Sequence, residues 1–434
     1  MSEPLPVALR AYRLLSAAAV PLAPFMLARR LKRGKELRER LSERRGEARI
    51  ARPAGALVWL HGASVGELAS VLPLIERIAA RGVGMLVTTG TVTSGGLAEQ
   101  RLPAGVIHQF VPLDAPRFVR RFLDHWQPDL ALLVESDLWP NMMIETSTRN
   151  VPMILINGRL SERSFQRWRY LPNTIVNLLR RFDLCLARTP GDAGRFGELG
   201  APRIVTTGNL KLDVPAPPAD SAALAALRDA TAGRPVIAAA STHAGEESIV
   251  IEAHARLRAN FPGLLTLIAP RHPERGPGVV EIARAAGLQA GLRTRGELPN
   301  AATDIYVADT VGELGLIYRL APVVFVGGSL VRHGGQNPIE AAKLGAAILH
   351  GPHVWNFAEL YAALDHAHGA ELVTDADRLT AGLSAWLGDP AARARVADAA
   401  RTTVEGLSGA LERTLQSLEP YLMQLALRQR ADHA

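Results

Sequence analysis

Residues 323–342 read VVFVGGSLVRHGGQNPIEAA: a short apolar run, a glycine pair with a serine, a basic excursion, a second glycine pair and a polar helix start. Val323–Val326 has the composition of a buried strand. Gly327, Gly328 and Ser329 then let backbone N–H groups approach an anion with no Cβ in the way. Asn337 suits a helix N-cap, Pro338 the first helical position, and Glu340 falls in the same turn. Such a helix start offers unpaired N–H donors to a phosphate, and Glu340 adds an acceptor for ribose hydroxyls. A plain strand-to-helix turn accounts for the glycines and the asparagine. Two glycine pairs with Gln336, Asn337 and Glu340 are more polar equipment than a turn needs, so the stretch reads as a nucleotide-type ligand loop.

The same strand–loop–helix unit recurs outward from this stretch. Candidate strands lie at Val236–Ala240, Leu264–Ala269, Ile305–Val307, Ala347–Leu349 and Leu372–Val373 around it. Upstream they lie at Ala56–Leu60, Met85–Thr89, Val106–Val111, Leu130–Val134, Val151–Ile156, Leu184–Ala187 and Ile204–Thr206. Polar residues collect at the strand C-termini, the pattern of a parallel, doubly wound α/β sheet. GNLKLDVPAPPAD, residues 208–220, is a proline-rich linker. The chain therefore divides into Rossmann-like domains at 36–207 and 221–405, with a helical segment at 406–434. In that segment Leu407, Leu411, Leu415 and Leu418 form an apolar face, and Pro420 is a break or kink. Two such domains on a linker place a cleft between facing strand ends, the architecture of GT-B glycosyltransferases.

The 434 residues carry 49 Lys and Arg against 42 Asp and Glu, a formal charge of +7. Residues 1–50 hold 12 basic and 5 acidic side chains, which is the whole of the excess. The remainder is formally neutral, so a nucleic-acid groove across the main body is excluded. The basic residues bracket an apolar core from Leu14 to Leu27, with Arg10 and Arg13 before it and Arg29, Arg30, Lys32, Arg33 and Lys35 after. That core is shorter than the ~20 residues of a membrane span. Residues 1–35 read as a retained membrane-anchor helix with a basic flank, in or on the inner face of a membrane. Residues 30–49 alternate in charge at helical spacing and predict a solvated or headgroup-facing helix. Cys185, the lone cysteine, sits in an apolar run and reads as a buried strand residue, with no disulfide to form.

Several strand ends carry chemistry. Glu67 opens the helix after the first strand, where the helix N-terminus stabilises a carboxylate and Gly62 and Gly66 leave room for a bulky substrate. It fits a general base or an ordinary capping glutamate equally. Glu135 ends the strand LALLV beside Ser136 and Asp137, as a cleft-edge acid or a common strand-end one. Ser241 and Thr242 in STHAGEE, Pro270 and Arg271 in PRHPER, and Val311, Gly312 and Glu313 in DTVGE each follow a strand. Arg271 is suited to bidentate phosphate or carboxylate binding. Each of these loops is served equally by a helix cap. Lys211, beside the linker, taken alone reads as a solvated lysine. No HExxH, cysteine pair or strand-flanked DxD is present, so no metal is expected; the charge on a leaving phosphate would be met by Arg, Lys and helix N-termini.

Taken in order, HGASVGE, ESDLWPN, INGRLSERS, GNLKLD, STHAGEES, PRHPER, DTVGELGLIY, FVGGSLV and GGQNPIEAA resemble the motifs of 3-deoxy-D-manno-octulosonic acid (Kdo) transferases of lipopolysaccharide biosynthesis. The resemblance covers nearly the whole chain, to the terminal LEPYL. It implies a metal-independent, inverting enzyme that moves Kdo from CMP-Kdo to the lipid A precursor at the cytoplasmic face of the bacterial inner membrane. It assigns acceptor handling to the first domain and CMP-sugar binding to the second, with no cofactor beyond the donor. Glu67 is implied as general base, and Glu135 and Lys211 as transition-state stabilisers. Pro270, Arg271, Val311, Gly312, Glu313, Asn337, Pro338, Ile339 and Glu340 are implied as CMP contacts, with Ser241, Thr242, Gly328 and Ser329 as further donor-site candidates. Departures are Gly62-Ala63 ahead of SVGE, Asp137 in place of Glu, and Gln336 where His is common. The expected partners are CMP-Kdo, the lipid A precursor and an anionic membrane surface, and not nucleic acid. The alternatives are another membrane-associated sugar-nucleotide glycosyltransferase and a non-catalytic, membrane-tethered nucleotide-sugar sensor.

Overall fold

The structure, a computed structural model, describes residues 4–136 and 138–432, with side chains to residue 428. It divides into two units: Met1–Val214 with Ser408–Ala434, and Pro215–Leu407.

Unit 1 is built on seven parallel strands: β1 (Leu57–His61), β2 (Gly84–Thr89), β3 (Ile107–Phe110), β4 (Leu130–Val134), β5 (Met153–Gly158), β6 (Leu184–Ala187) and β7 (Ile204–Thr206). Their order is β3-β2-β1-β4-β5-β6-β7. The central strands are buried on both faces, which is why they read as unbroken apolar runs. Val58 and Leu60 face one core with Leu68, Val71, Leu72 and Ile75 of the helix Val65–Ala79. Leu57 and Trp59 face the other, against Val119, Phe122, Leu123 and Trp126 of the helix Pro116–Trp126. Cys185 is fully buried in β6, and burial pushes its thiol up to about 12, so it is inert.

Unit 2 repeats the plan with β8 (Val236–Thr242), β9 (Leu265–Pro270), β10 (Ala290–Leu292), β11 (Ile305–Val307), β12 (Val323–Val326), β13 (Ala347–His350) and β14 (Ala370–Leu372), in the order β10-β11-β9-β8-β12-β13-β14. Strand β10 escapes a sequence search because it is three residues long with a glycine at its centre.

The structure changes four expectations. No helix spans residues 30–49: after the helix Ala23–Lys32 come two 3-10 turns, Arg38–Arg40 and Glu43–Arg45. Arg40, Arg44, Glu36 and Glu43 are buried rather than solvated. Arg40 Nε donates to Glu43 at 2.8 Å, Arg44 Nε donates to Glu36 at 2.9 Å, and both guanidinium groups stack on Phe110. Second, the segment 406–434 does not stand apart. The helix Ala410–Asp432 packs Leu415, Leu418, Leu422 and Leu425 into the unit 1 core, and Asp213 caps its start by accepting from Gly409 N and Leu411 N at 2.6 Å each. Third, Pro420 does not break this helix, which runs on through it with Leu418 and Leu422 buried in the same core on either side. Fourth, Leu407 is exposed and outside that helix.

The N-terminal segment forms the helix Val7–Ala18, a 3-10 turn and the helix Ala23–Lys32. Among the described residues no single helix is long and apolar enough to cross a membrane; this pair passes by length and composition but is bent by 42°. One face belongs to unit 1: Leu9, Ala23 and Leu27 are buried, Tyr12 donates to Asp114 at 2.9 Å, and Arg13 pairs with Glu145 at 2.7 Å. The other exposes Val7, Leu14, Leu15, Leu22 and Phe25.

Candidate active site

In unit 1 the strand order reverses between β1 and β4, so the loops leaving these neighbours diverge and open a crevice at their C-terminal ends. Glu67 stands on the β1 side. Ser64 caps the helix Val65–Ala79, its hydroxyl accepting from Glu67 N at 3.3 Å. The Glu67 carboxylate accepts from Ala63 N at 2.7 Å and from Ser64 Oγ at 2.9 Å. This reciprocal capping pattern is the plain structural role that the sequence offered beside the catalytic one. It also fixes the carboxylate at a half-buried helix start.

Glu135 stands on the β4 side. Its φ of +60° lies in the left-handed region, uncommon for a residue with Cβ and often found at functional sites. The carboxylate accepts from Lys211 Nζ at 2.7 Å, with side chains 15% and 22% exposed, so the two residues implied as transition-state stabilisers meet. Lys211 is therefore no free surface lysine. Its position depends on Asn157, to which sequence reasoning gave no role. Fully buried near the end of β5 with φ +53°, Asn157 accepts from Leu210 N at 3.1 Å. Asn209 accepts from Lys211 N at 3.2 Å. The available signal was asparagine at a strand end in INGR, since Asn tolerates positive φ. Asp137 lies outside the described residues.

In unit 2 the reversal falls between β8 and β12, which carry the STHAGEE and VGGSLV loops. Gly327 is required here, because a Cβ would sit 2.6 Å from Ser241 O. The nest at Gly328 and Ser329 has an unexpected occupant. Glu246, fully buried, accepts from Gly328 N at 2.7 Å, Ser329 N at 3.0 Å, Leu330 N at 2.9 Å and His243 N at 2.8 Å. The N–H groups of Gly328 and Ser329 are thus committed to an internal carboxylate, and neither offers the predicted anion cradle. Thr242 is likewise committed, donating through Oγ1 to Glu247 at 3.0 Å. Glu247 is also buried and pairs with Arg275 at 2.6 Å. Ser241, at φ +57°, stays half-buried beside them.

The other predicted donor residues lie around this crevice. Pro270 ends β9, and Arg271 follows with its N bonded to Thr242 O at 2.9 Å and its side chain exposed. In the loop after β11, Val311 is 86% exposed and Gly312 has φ +87°. Glu313 is gripped by Arg293 through bonds of 3.0 and 2.9 Å; Arg293 holds its carboxyl below the usual range, against the effect of partial burial. The helix after Gly335 begins at Ile339, one residue later than expected, and runs only to Lys343. Pro338 is its N-cap residue, and Asn337 Oδ1 accepts from Ile339 N at 3.0 Å. Burial raises the Glu340 carboxyl, partly offset by a hydrogen bond from Asn337. Among the described residues no group of three or more His, Cys, Asp and Glu is placed to hold a metal ion.

Residues 36–214 match the family model described as 3-deoxy-D-manno-octulosonic-acid transferase (kdotransferase). The 3-deoxy-D-manno-octulosonic acid transferase of Haemophilus influenzae is 34% identical over 89% of this chain and 92% of its own length. That of Bordetella pertussis is 37% identical over 87% and 90%. Among solved structures, a glycosyltransferase from Rickettsia africae superimposes with a TM-score of 0.59 over 86% of this chain and 99% of its own, at 11% identity, which supports the fold alone. The ordered motifs and the full-length similarity lead to one conclusion: the chain belongs to the 3-deoxy-D-manno-octulosonic acid transferase family.

Proposed function

We propose that this protein transfers Kdo from CMP-Kdo to a hydroxyl of the lipid A precursor in lipopolysaccharide synthesis, with inversion at the anomeric carbon. Similarity over nearly its full length to transferases of this name carries the proposal. In the reaction, Glu67 accepts the proton of the acceptor hydroxyl as its oxygen attacks the anomeric carbon. The bond from that carbon to the phosphate oxygen breaks, and CMP leaves with the electron pair. Lys211, held by Glu135, supplies a fixed charge and dipole to the transition state. In unit 2, Arg271 meets the phosphate, the Val311–Glu313 loop and Asn337 to Glu340 bind the nucleoside, and Ser241 adds a hydroxyl. No cofactor or metal takes part.

The protein works at the cytoplasmic face of the inner membrane. The exposed Val7, Leu14, Leu15, Leu22 and Phe25 enter the apolar boundary, while Arg29, Lys32, Arg33 and Lys35 meet anionic headgroups. The deciding experiment is a single-turnover reaction of purified protein with CMP-Kdo and lipid A precursor. Kdo-bearing lipid and CMP should form in equal amounts, with the same rate in EDTA. Inactivity with CMP-Kdo alongside turnover of another sugar nucleotide would overturn the assignment.

A further inference from the structure

Three adjacent strands of unit 2, β9, β8 and β12, each deliver a histidine beside the β8–β12 reversal: His272, His243 and His333. The rings of His243 and His333 stack at 4.1 Å and 16°, and His272 stands edge-on to His243 at 5.9 Å. Gln336 Nε2 donates to His243 Nε2 at 3.0 Å, which places the ring proton of His243 on Nδ1. The groups facing His243 are His333 and Gln336 from the loop after β12, Arg271 and His272 from the loop after β9, and Glu246 and Glu247 from its own following helix.

These groups do not balance. Glu246 is saturated by four backbone N–H donors, and Glu247 is bound to Arg275 and Thr242. Neither carboxylate is left to meet His243 or His333; His272 Nδ1 has the exposed Glu274 at 3.7 Å, and Arg271 brings a full positive charge to the same corner. Burial, then His333, His272 and Arg271, lower the His243 ring to about 4, with Glu247 opposing weakly. Positive charge on stacked rings this close is mutually unfavourable, and a bound anion relieves it. The cluster has the potential and the donors of an anion receptor, one loop outward from the nest that Glu246 has closed.

We infer that His243 and His333, together with Arg271, receive the anionic groups of the donor, and that its binding draws a proton onto the stacked ring pair. The inference rests on the donor-site reading of unit 2 given above and adds to it two ligand groups and a proton. A bound phosphate favours the charged ring, so affinity must strengthen as pH falls, by at most about tenfold per pH unit for each proton taken up.

CMP itself is the probe, titrated calorimetrically into the full-length protein at pH 7.5 and 6.8 in buffers of different ionisation heat. A phosphate monoester has its second pKa near ~6, so at pH 7.5 protons taken up come to the protein, not the nucleotide. Wild-type protein should take up a measurable fraction of a proton per CMP. His333→Gln, at an exposed position where folding is not at stake, should abolish most of that uptake and weaken binding roughly tenfold, the worth of one charge-assisted hydrogen bond. His243→Asn should do the same. Arg271→Lys should weaken binding at both pH values and leave the uptake in place. Wild-type binding without proton uptake, or unchanged affinity and uptake in His333→Gln, would overturn the inference while leaving the donor site intact. Failure of wild-type protein to bind CMP at either pH would remove the donor site and the inference together.

Discussion

The two units reverse their strand order at the same place and fill the resulting crevice in opposite ways. In unit 1 the strand ends carry carboxylates and a lysine, and two of them hold strained backbone: Glu135 at φ +60° and Asn157 at φ +53°. In unit 2 the two carboxylates that follow β8 turn inward, where Glu246 and Glu247 are consumed by backbone N–H groups, Thr242 and Arg275, and the corner between β8 and β12 is left to imidazoles and Arg271. One architecture thus presents an acidic, proton-accepting face in one unit and an anion-attracting face in the other. The sheet decides where ligands meet the chain, and the residues at the strand ends decide which charge they meet.

The comparison can be broken most sharply at Glu67. Replacing it with Gln keeps the cap geometry and removes the base, so turnover should fall about 10³-fold, within the range for general-base catalysis, with CMP affinity unchanged. Wild-type-like turnover would move the base elsewhere. In unit 2, Glu246→Ala strands four backbone N–H groups, and an urea melt should show a loss of roughly 3 kcal/mol or more. A loss under about 1 kcal/mol, the level of one ordinary hydrogen bond, would mean that water fills the nest equally well. The Glu135–Lys211 pair is next: each alanine variant should lose about 10²-fold in turnover, and the double variant far less than the product of the two. Additive losses would show that the side chains act separately. The smallest effect concerns the exposed apolar face of the N-terminal helices in unit 1. Leu14→Ser with Phe25→Ser should weaken sedimentation with anionic vesicles about tenfold or more, from the apolar area lost. Activity on detergent-dispersed acceptor should persist, because Leu9, Arg13 and the core contacts remain. Equal loss in both formats would give that face a part in the active site.

Much of this was legible in the sequence because parallel buried strands announce themselves as apolar runs and their polar ends as motifs. Leu130–Val134, Leu184–Ala187 and Val323–Val326 need nothing beyond local composition. The loops were legible only as loops. Gly327 to Ser329 read as a backbone nest for a ligand anion, but Gly328 and Ser329 give their N–H groups to Glu246, which lies some eighty residues earlier, and no local pattern joins them. Residues 36–45 failed for the same reason: alternating charges look solvated until Phe110 and the β3 edge bury them. The Glu135–Lys211 contact spans |i−j| = 76 and depends on Asn157, so only the family resemblance pointed to the two residues together.

The helix Ala410–Asp432 has a consequence for how this protein is made. It completes the core of unit 1, yet it leaves the ribosome after the whole of Pro215–Leu407. Nascent unit 1 must wait with Leu68, Val71 and Ile75 incompletely covered, while unit 2, continuous in the chain, can finish first. At about 5–20 residues per second that wait lasts many seconds, long enough to make the nascent first half a client for chaperones. A frameshift near residue 410 would therefore damage the half of the molecule encoded first, the half that holds Glu67 and Glu135.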